Sequence, residues 1–333
     1  MQKKDIISKI YFQDEKRTAD LINAIVFRGR QVVNPEDIQE LDSVAAMLES
    51  SGQNGEDVAV RGKQKYRDIL QKIVLGCRVL FIGIENQDYI HFAMPVRVLG
   101  YDYQRYDRQY RRIRKNHKQR KDLVQKDELL SGCTGRDGLE PVITLILYYG
   151  EKPWSGPRCL KDMLRLQDFP EEIREYVNDY PLHIVEVARF KQIDLFQTDL
   201  RLIFGCLQYQ SNPRLWKKFI EEYKTEFTEL EEDAFHMITA LSHAKQLREM
   251  KSAVLTEGGK VNMCKAIDEL ESRAMKRGEK RGEKRGLERG IKLFILDNQE
   301  EGIEKSRIKD KLIRRFEISA EQAEAYYCKY AEM

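Results

Sequence analysis

The sequence predicts an α/β fold followed by a helical C-terminal region. Residues 79–84 and 142–149 are two nearly unbroken apolar runs, which is typical of strands buried on both faces of a sheet. Residues 94–118 lie between them and predict one long, basic, tyrosine-rich helix. From about Thr198 onward the pattern is helical and acidic, with an apolar stripe over residues 200–207. This order of strands and helices is that of the α/β class.

The elements before the first apolar run are a helix, a segment with two interpretations and a strand. Residues 14–28 predict a helix, because their apolar side chains recur on one helical face. Residues 34–48 also show helical spacing, and Asn34-Pro35 could begin a helix there. Residues 51–55 (Ser-Gly-Gln-Asn-Gly) indicate a loop, and residues 66–70 indicate the strand that precedes residues 79–84.

The C-terminal tail contains a low-complexity repeat with a glycine at every fourth position. The repeat consists of Gly278, Gly282, Gly286 and Gly290, separated by charged residues. A glycine costs a helix about 1 kcal/mol relative to alanine, and like charges four residues apart add to this cost. The repeat therefore predicts either a marginal helix that depends on a partner or a flexible basic linker, and a short helical hairpin follows it.

These patterns divide the chain into three parts. The first part, residues 1–195, carries the predicted sheet, and the second, residues 196–262, is helical and acidic. Residues 263–333 form the charged glycine-repeat tail and its terminal hairpin.

Polar residues follow the first apolar run where a turn would be expected. Glu85 and Gln87 end this strand, and alternation along a strand places both side chains on the same side. Asp68 lies on the preceding strand, and a hairpin would bring it beside Glu85. Two carboxylates and an amide at the end of a buried strand suit Mg²⁺. A single strand-end glutamate, in contrast, is usually a solvated edge residue.

Several motifs in the chain match one known family as a set. They are residues 9–12 (KIYF), 19–24 (ADLINA), 35–42 (PEDIQELD), 67–70 (RDIL), 83–87 (GIENQ), 91–97 (HFAMPVR) and 141–150 (PVITLILYYG). With the glycine-repeat tail, this set resembles the recombination-promoting nucleases (Rpn family). That family is also described as YhgA-like transposases and lies within the PD-(D/E)xK nuclease superfamily.

The resemblance implies a fold, an activity and a site. The fold would be an αβββαβ core in which residues 38–45 are the first strand, so both interpretations of this segment stay open. The activity would be Mg²⁺-dependent DNA endonuclease cleavage, with Mn²⁺ as a substitute metal, promoting recombination or mobile-element activity. The catalytic residues would be Asp68, Glu85 and Gln87, and the metal ligands Asp68, Glu85 and the backbone carbonyl of Asn86. Asp20, in a motif of the first helix, is an additional candidate metal contact.

Gln87 departs from the superfamily pattern, because a lysine usually stands at this position. A neutral amide takes up no proton near pH 7, so Gln87 can orient water through its carbonyl oxygen but cannot act as a base. We considered Lys63 and Lys65 as sources of the missing positive charge, although surface solvation is the simpler interpretation for both.

A strongly basic segment suggests how DNA would bind. Residues 105–121 contain nine Lys or Arg against Asp107, a net charge of +8 in a chain whose total is only +3. The predicted DNA-binding residues are Arg105, Arg108, Arg111, Arg112, Arg114, Lys115 and Lys118. Binding through phosphates should weaken steeply with salt. The tyrosines of this segment (Tyr101, Tyr103, Tyr106 and Tyr110) either stack on unpaired bases or pack the helix onto the sheet, and their spacing favours packing.

Composition excludes several classes of protein and leaves two alternative functions. No apolar stretch reaches about 18 residues, so we expect no membrane partner. No secretory signal is evident, the six cysteines are scattered and the five histidines lack zinc-type spacing, which is consistent with a cytoplasmic protein. The alternatives are a catalytically decayed DNA-binding protein and an interaction protein that forms a homo-oligomer through its helical C-terminal region.

Overall fold

The chain is described by a computed structural model over residues 2–41, 69–242, 247, 254–256 and 258–331. It divides into two compact units, Met1–Cys264 and Lys265–Met333.

A five-stranded mixed sheet forms the centre of the first unit. Its strands are β1 (Ile38–Glu40), β2 (Ile69–Leu75), β3 (Arg78–Gln87), β4 (Val142–Tyr148) and β5 (His183–Glu186), which lie in that order across the sheet. The pairs β1–β2 and β2–β3 are antiparallel, whereas β3–β4 and β4–β5 are parallel. The carboxyl ends of the last three strands therefore share one edge of the sheet with the beginning of β2.

The register of the strands assigns side chains to the two faces of the sheet. Glu85 of β3 is opposite Ile146 of β4, and Gln87 is opposite Tyr148, so these four side chains lie on one face. Ile84 is opposite Ile69 of β2, and this pair belongs to the other face. The buried isoleucines of β2 and β3 explain why residues 79–84 read as a fully buried strand.

One long helix covers the face that carries Glu85. Helix α3 (Met94–Arg120) connects β3 to β4. It buries Met94 and Val98 against Ile146 and Tyr148. Asp102 of α3 also accepts a hydrogen bond of 2.8 Å from the hydroxyl of Thr144 in β4.

Two N-terminal helices lie against the opposite face. Helix α1 is Gln2–Tyr11 and helix α2 is Glu15–Ile25, and Asp14 caps α2 by accepting a hydrogen bond from the backbone N–H of Lys16. Gln71 of β2 is buried and donates to the hydroxyl of Thr18 in α2 at 3.3 Å. The sheet is therefore packed between helices on both faces, as the α/β prediction requires.

Among the described residues, the remaining α-helices of the first unit are short. They are α4 (Lys126–Ser131) and α5 (Glu171–Tyr176) within the sheet region, followed by α6 (Leu200–Tyr209), α7 (Pro213–Glu222), α8 (Lys224–Thr228) and α9 (Glu232–Leu241). The buried face of α6 is the apolar stripe that the sequence predicted over residues 200–207.

A buried ionic cluster joins the N-terminal helices to the later ones. The guanidinium of Arg17 in α2 binds both oxygens of Asp199, at 3.0 and 2.8 Å, and also binds Asp233 of α9. Tyr11 donates to the same Asp199 carboxylate at 2.6 Å. Burial raises the pKa of Asp199, and Arg17 opposes this effect with its charge and hydrogen bonds. The cluster ties α1 and α2 to the helical region after residue 196.

The second unit is helical. It contains most of α10 (Met263–Glu300), followed by α11 (Lys305–Phe316) and α12 (Ala320–Ala331). Its core consists of Ile291, Ile295, Ile308, Leu312, Ala323 and Tyr330. Ser319 and Gln322 form a capping interaction at the last helix, with a hydrogen bond in each direction.

The structure decides between several alternatives that the sequence left open. Pro35–Asp37 is a single turn of 3-10 helix and Ile38–Glu40 is a strand, so of the two interpretations the strand is confirmed for residues 38–40 and the helix is wrong there. Residues 42–48 of the same segment lie outside the described residues. The glycine repeat is helical, and residues 271–287 of α10 are exposed throughout. Among the described residues, none of the helices combines the length and the apolar character needed to cross a membrane.

Candidate functional site

The carboxyl end of β3 holds a buried carboxylate. Glu85 is only 1% exposed, although it lies two residues before the end of its strand. Gln87 is also buried, and its side-chain amide donates a hydrogen bond of 3.2 Å to Oε1 of Glu85. The two side chains therefore lie together on the same face, as alternation along the strand predicted. A buried glutamate requires a charged or hydrogen-bonding partner to offset the loss of hydration.

Helix α3 supplies that partner. Arg97, in the first turn of α3, forms an ion pair through Nη2 with Oε1 of Glu85. The same Nη2 donates to the hydroxyl of Tyr101 at 2.8 Å. Arg97 is thus held between the strand end and the next turn of its own helix. It brings a positive charge to the carboxylate that Gln87 also contacts.

Arg97 was not among the residues predicted from the sequence. It lies at the end of the motif over residues 91–97, which the resemblance had singled out without assigning roles. The spacing of twelve residues from Glu85 gives no signal of contact. The ion pair depends on how α3 packs across the sheet, which single-sequence reasoning does not provide.

Asn86 faces away from Glu85 and Gln87. Its side-chain oxygen accepts a hydrogen bond of 2.8 Å from the hydroxyl of Tyr149, just beyond β4. The backbone N–H of Tyr149 also donates to the carbonyl of Gln87 at 2.8 Å. These bonds extend the β3–β4 pairing to the strand ends. They fix the backbone around Asn86, whose carbonyl is a predicted metal ligand.

The other predicted metal ligand is Asp68. It lies outside the described residues, as do Lys63 and Lys65. Ile69, the residue after Asp68, is the first residue of β2. It is paired with Ile84 of β3, the residue before Glu85. Within the described ranges, no group of three or more His, Cys, Asp or Glu side chains is arranged to hold a metal ion.

Asp20 is separate from this site. It is 3% exposed and accepts four hydrogen bonds of 2.6 to 2.9 Å from Gln197 and Thr198, which precede α6. Three of these bonds come from backbone N–H groups and one from the hydroxyl of Thr198. Asp20 therefore fixes the segment between β5 and α6, and it is buried, not a solvent-facing helix residue.

Six of the seven predicted DNA-binding residues lie on the second half of α3, and Arg105 lies just before it. The exposed members are Arg111, Arg112, Arg114, Lys115 and Lys118, and Arg108 is half-exposed. Arg105 differs, because its guanidinium lies over the ring of Phe81 in β3 at 3.6 Å from the ring centre. Burial, with the charges of Arg108 and Arg112, lowers the pKa of Arg105 to about 10. Arg105 is thus largely used in packing α3 onto the sheet.

The end of α3 borders a basic groove. This groove has a volume of about 600 Å³. It is lined by Arg111, Arg114, Lys115, His117, Lys118, Lys121, Leu123, Leu129 and Gly132. His117 binds two carboxylates, Asp122 through Nδ1 at 2.6 Å and Asp137 through Nε2 at 2.9 Å. These hydrogen bonds, first that with Asp122, raise the pKa of His117. His117 thereby fixes the segment that follows α3 and forms the wall of the groove.

The tyrosines of α3 are divided between packing and exposure. Tyr101 is buried, Tyr106 accepts a hydrogen bond of 3.1 Å from the backbone of Val142, and Tyr110 donates to the carbonyl of Ser131 at 2.5 Å. Tyr103 is 64% exposed. Packing is therefore the role of three of the four, in agreement with the preference stated from their spacing.

Comparison with known proteins assigns the family. No curated protein and no solved structure matches the chain. The family model described as "Putative transposase, YhgA-like" matches residues 58–236, which include the strands β2 to β5, helix α3 and the helical region up to α9. Because this match covers more than half of the chain, the protein belongs to the YhgA-like transposase family.

Proposed function

We propose that this protein is a metal-dependent DNA endonuclease whose centre lies at the carboxyl end of β3. The observation that carries the proposal is the buried Glu85 carboxylate, held by Gln87 and by Arg97 of α3. The same helix carries a dense basic surface further along. Membership of a transposase family supports DNA as the substrate and a role in recombination or mobile-element activity.

The donors at this strand end suit a hard divalent cation. Glu85, the backbone carbonyl of Asn86 and Asp68 would hold Mg²⁺, or Mn²⁺ in its place, because all three offer oxygen ligands. Bound there, the metal would polarise the phosphate and lower the pKa of a water molecule. Asp68 enters this proposal from the sequence, since it is bonded to Ile69 at the beginning of β2.

The protein residues would position the substrate and neutralise its charge. Arg97 places a guanidinium beside Glu85, where it can approach a phosphate that gains negative charge during cleavage. Gln87 donates to Glu85 and so fixes the orientation of the carboxylate. Arg97 would take over the charge of the missing lysine, and Gln87 would keep only an orienting role.

The basic half of α3 would bind the DNA backbone. Its exposed arginines and lysines lie along one helix, and each phosphate contact releases counterions. We therefore expect DNA affinity to fall steeply as salt rises, independently of metal.

A plasmid-nicking assay tests the proposed activity. Purified protein is incubated with supercoiled plasmid in Mg²⁺, Mn²⁺ or EDTA, beside Glu85→Ala and Asp68→Ala. We expect nicking with either metal, none in EDTA, and none by the two variants. Glu175→Ala, which changes an exposed glutamate of α5, is the matched control and should nick as wild type does. Wild-type cleavage by Glu85→Ala would refute the site.

A second candidate function is DNA binding without cleavage. The Glu85–Arg97 ion pair favours it, because such a pair by itself accounts for a buried carboxylate. This alternative predicts that plasmid is shifted on a gel at low salt while neither metal gives cleavage.

A further inference from the structure

Helix α3 changes character along its exposed face. Near its beginning, three exposed side chains are apolar or aromatic, next to the polar Gln104: Phe92 just before the helix is 67% exposed, Val96 is 47% exposed and Tyr103 is 64% exposed. Beyond residue 107 the exposed side chains are mainly arginine and lysine. The apolar strip, defined here as these three residues, therefore leads into the basic surface.

The strip is adjacent in the chain to a residue of the candidate site. Val96 precedes Arg97, the residue that pairs with Glu85. Val96 and Tyr103 are seven residues apart, which is close to two helical turns, so both lie on the same face. The rise from Arg97 to Tyr103 is about 9 Å, a distance of only a few nucleotides.

Packing of α3 does not account for the strip. The residues that pack this part of the helix against the sheet are Met94, Val98 and Tyr101, all of them buried. The strip occupies a different face of the helix and exposes two aromatic rings to solvent. Large exposed apolar groups rimmed by polar residues are typical of binding surfaces.

The neighbouring charges indicate the chemistry of the partner. Lys118 lies about 32 Å along the helix from Arg97, which is the length of about nine base pairs of DNA. Cations on one half and aromatic rings on the other match a ligand with a phosphate backbone and accessible base faces. In intact duplex DNA the base faces are stacked on each other, whereas unpaired bases can stack on protein rings.

We propose that the preferred substrate carries unpaired bases next to the scissile phosphate, and that these bases stack on Phe92 and Tyr103. The adjoining duplex lies along the basic half of α3. This inference rests on the proposed function for the position of the cut, but the recognition of unpaired bases is independent of cleavage. A fully paired duplex engages only the basic half and therefore binds more weakly.

The test measures binding in EDTA, so that cleavage does not enter the result. Fluorescence anisotropy compares a fully paired duplex with a duplex of the same length that contains a central unpaired bubble. We expect the full-length protein to bind the bubble about tenfold more tightly. A 2-aminopurine placed in the bubble should lose fluorescence on binding, because stacking on a ring quenches it.

Variants connect this preference to the strip. The double variant Phe92→Ala/Tyr103→Ala should bind bubble and duplex equally, with its duplex affinity unchanged and without quenching. Phe169→Ala and Tyr176→Ala change exposed aromatic residues elsewhere and serve as matched controls that keep the preference. Circular dichroism checks that all variants are folded.

Three outcomes would overturn the proposal. They are equal binding of bubble and duplex by the wild-type protein, a preference that the double variant retains, and a self-association of the wild-type protein that the double variant loses. The last result would mean that a second copy covers the strip. If nicking fails while the bubble preference holds, only the endonuclease proposal is lost. If nicking succeeds without that preference, only the present inference is lost.

Discussion

Two buried carboxylates on opposite faces of the sheet have different kinds of partner. Asp20 of α2 is 3% exposed and binds backbone N–H groups and a hydroxyl of residues 197–198. Glu85 of β3 is 1% exposed and contacts the side chains of Arg97 and Gln87. Burial alone therefore does not distinguish a structural acid from a candidate catalytic one.

Asp20 and Glu85 differ in which groups must move before the carboxylate can bind a ligand. The bonds of Asp20 fix the backbone between β5 and α6, so releasing them would disrupt the chain before α6. The partners of Glu85 are side chains, so their bonds to it can be exchanged for bonds to a ligand without displacing the backbone of the sheet. Side-chain partners at a strand end are thus a better indication of function than low exposure.

The largest effect on stability should come from the ionic cluster on the same helix as Asp20. Arg17→Met would leave Asp199 and Asp233 near each other without their shared cation. We expect a loss of about 3 kcal/mol in the free energy of unfolding, because removing one partner of a buried pair leaves an uncompensated charge. Urea denaturation measures this loss. Arg214→Met, at an exposed arginine of α7, is the control and should change stability little. If Arg17→Met left the free energy of unfolding unchanged, the ionic cluster would not contribute to stability.

A direct exchange of the two acids sharpens the comparison. Asp20→Asn would turn an amide N–H₂ towards donors of residues 197–198 and should lower the free energy of unfolding by about 2 kcal/mol. Glu85→Gln retains an acceptor for Arg97 and should cost less than about 1 kcal/mol, yet abolish nicking. Thermal denaturation measures the stability of each variant, and the nicking rate of the folded variant measures its activity. The comparison fails if Asp20→Asn loses activity without losing stability.

Arg97 should affect activity by a smaller amount than Glu85. Arg97→Met removes the positive charge beside Glu85, and we expect the nicking rate to fall about ten- to a hundredfold, as for residues that support a metal ligand. Arg97→Lys should recover part of the rate. Arg111→Met is the matched control on the same helix, and it should reduce DNA affinity and its salt dependence while the maximal nicking rate stays unchanged.

The smallest effect concerns His117, whose two carboxylate partners are more exposed than Glu85. Its pKa is raised by its hydrogen bonds to Asp122 and Asp137. At a pH below 6.5, the ordinary pKa of histidine, the protonated imidazole therefore stabilises the folded state. This contribution disappears as the pH rises through the raised pKa of His117. The difference in Tm between wild type and His117→Gln should shrink at a pH above the raised pKa of His117. A pH-independent difference would exclude a charged His117.

Local patterns predicted the strands and the side chains on them better than the contacts between elements. The apolar runs identified β3 and β4, and alternation placed Glu85 beside Gln87, because both depend only on neighbouring residues. The helical spacing after residue 34 was misleading, since pairing with β2 made Ile38–Glu40 a strand. The pairing of Arg97 with Glu85 and the burial of Asp20 depend on how distant elements pack, which periodicity does not encode.

The continuity of α3 has a mechanical consequence. It is an uninterrupted helix of 27 residues, so it is about 40 Å long. Its far end is anchored by Tyr110 and His117, and its near end carries Arg97. Because one helix carries both the Arg97 guanidinium and the exposed basic side chains of its second half, helix geometry fixes the spacing between them, and no loop between the two can change it.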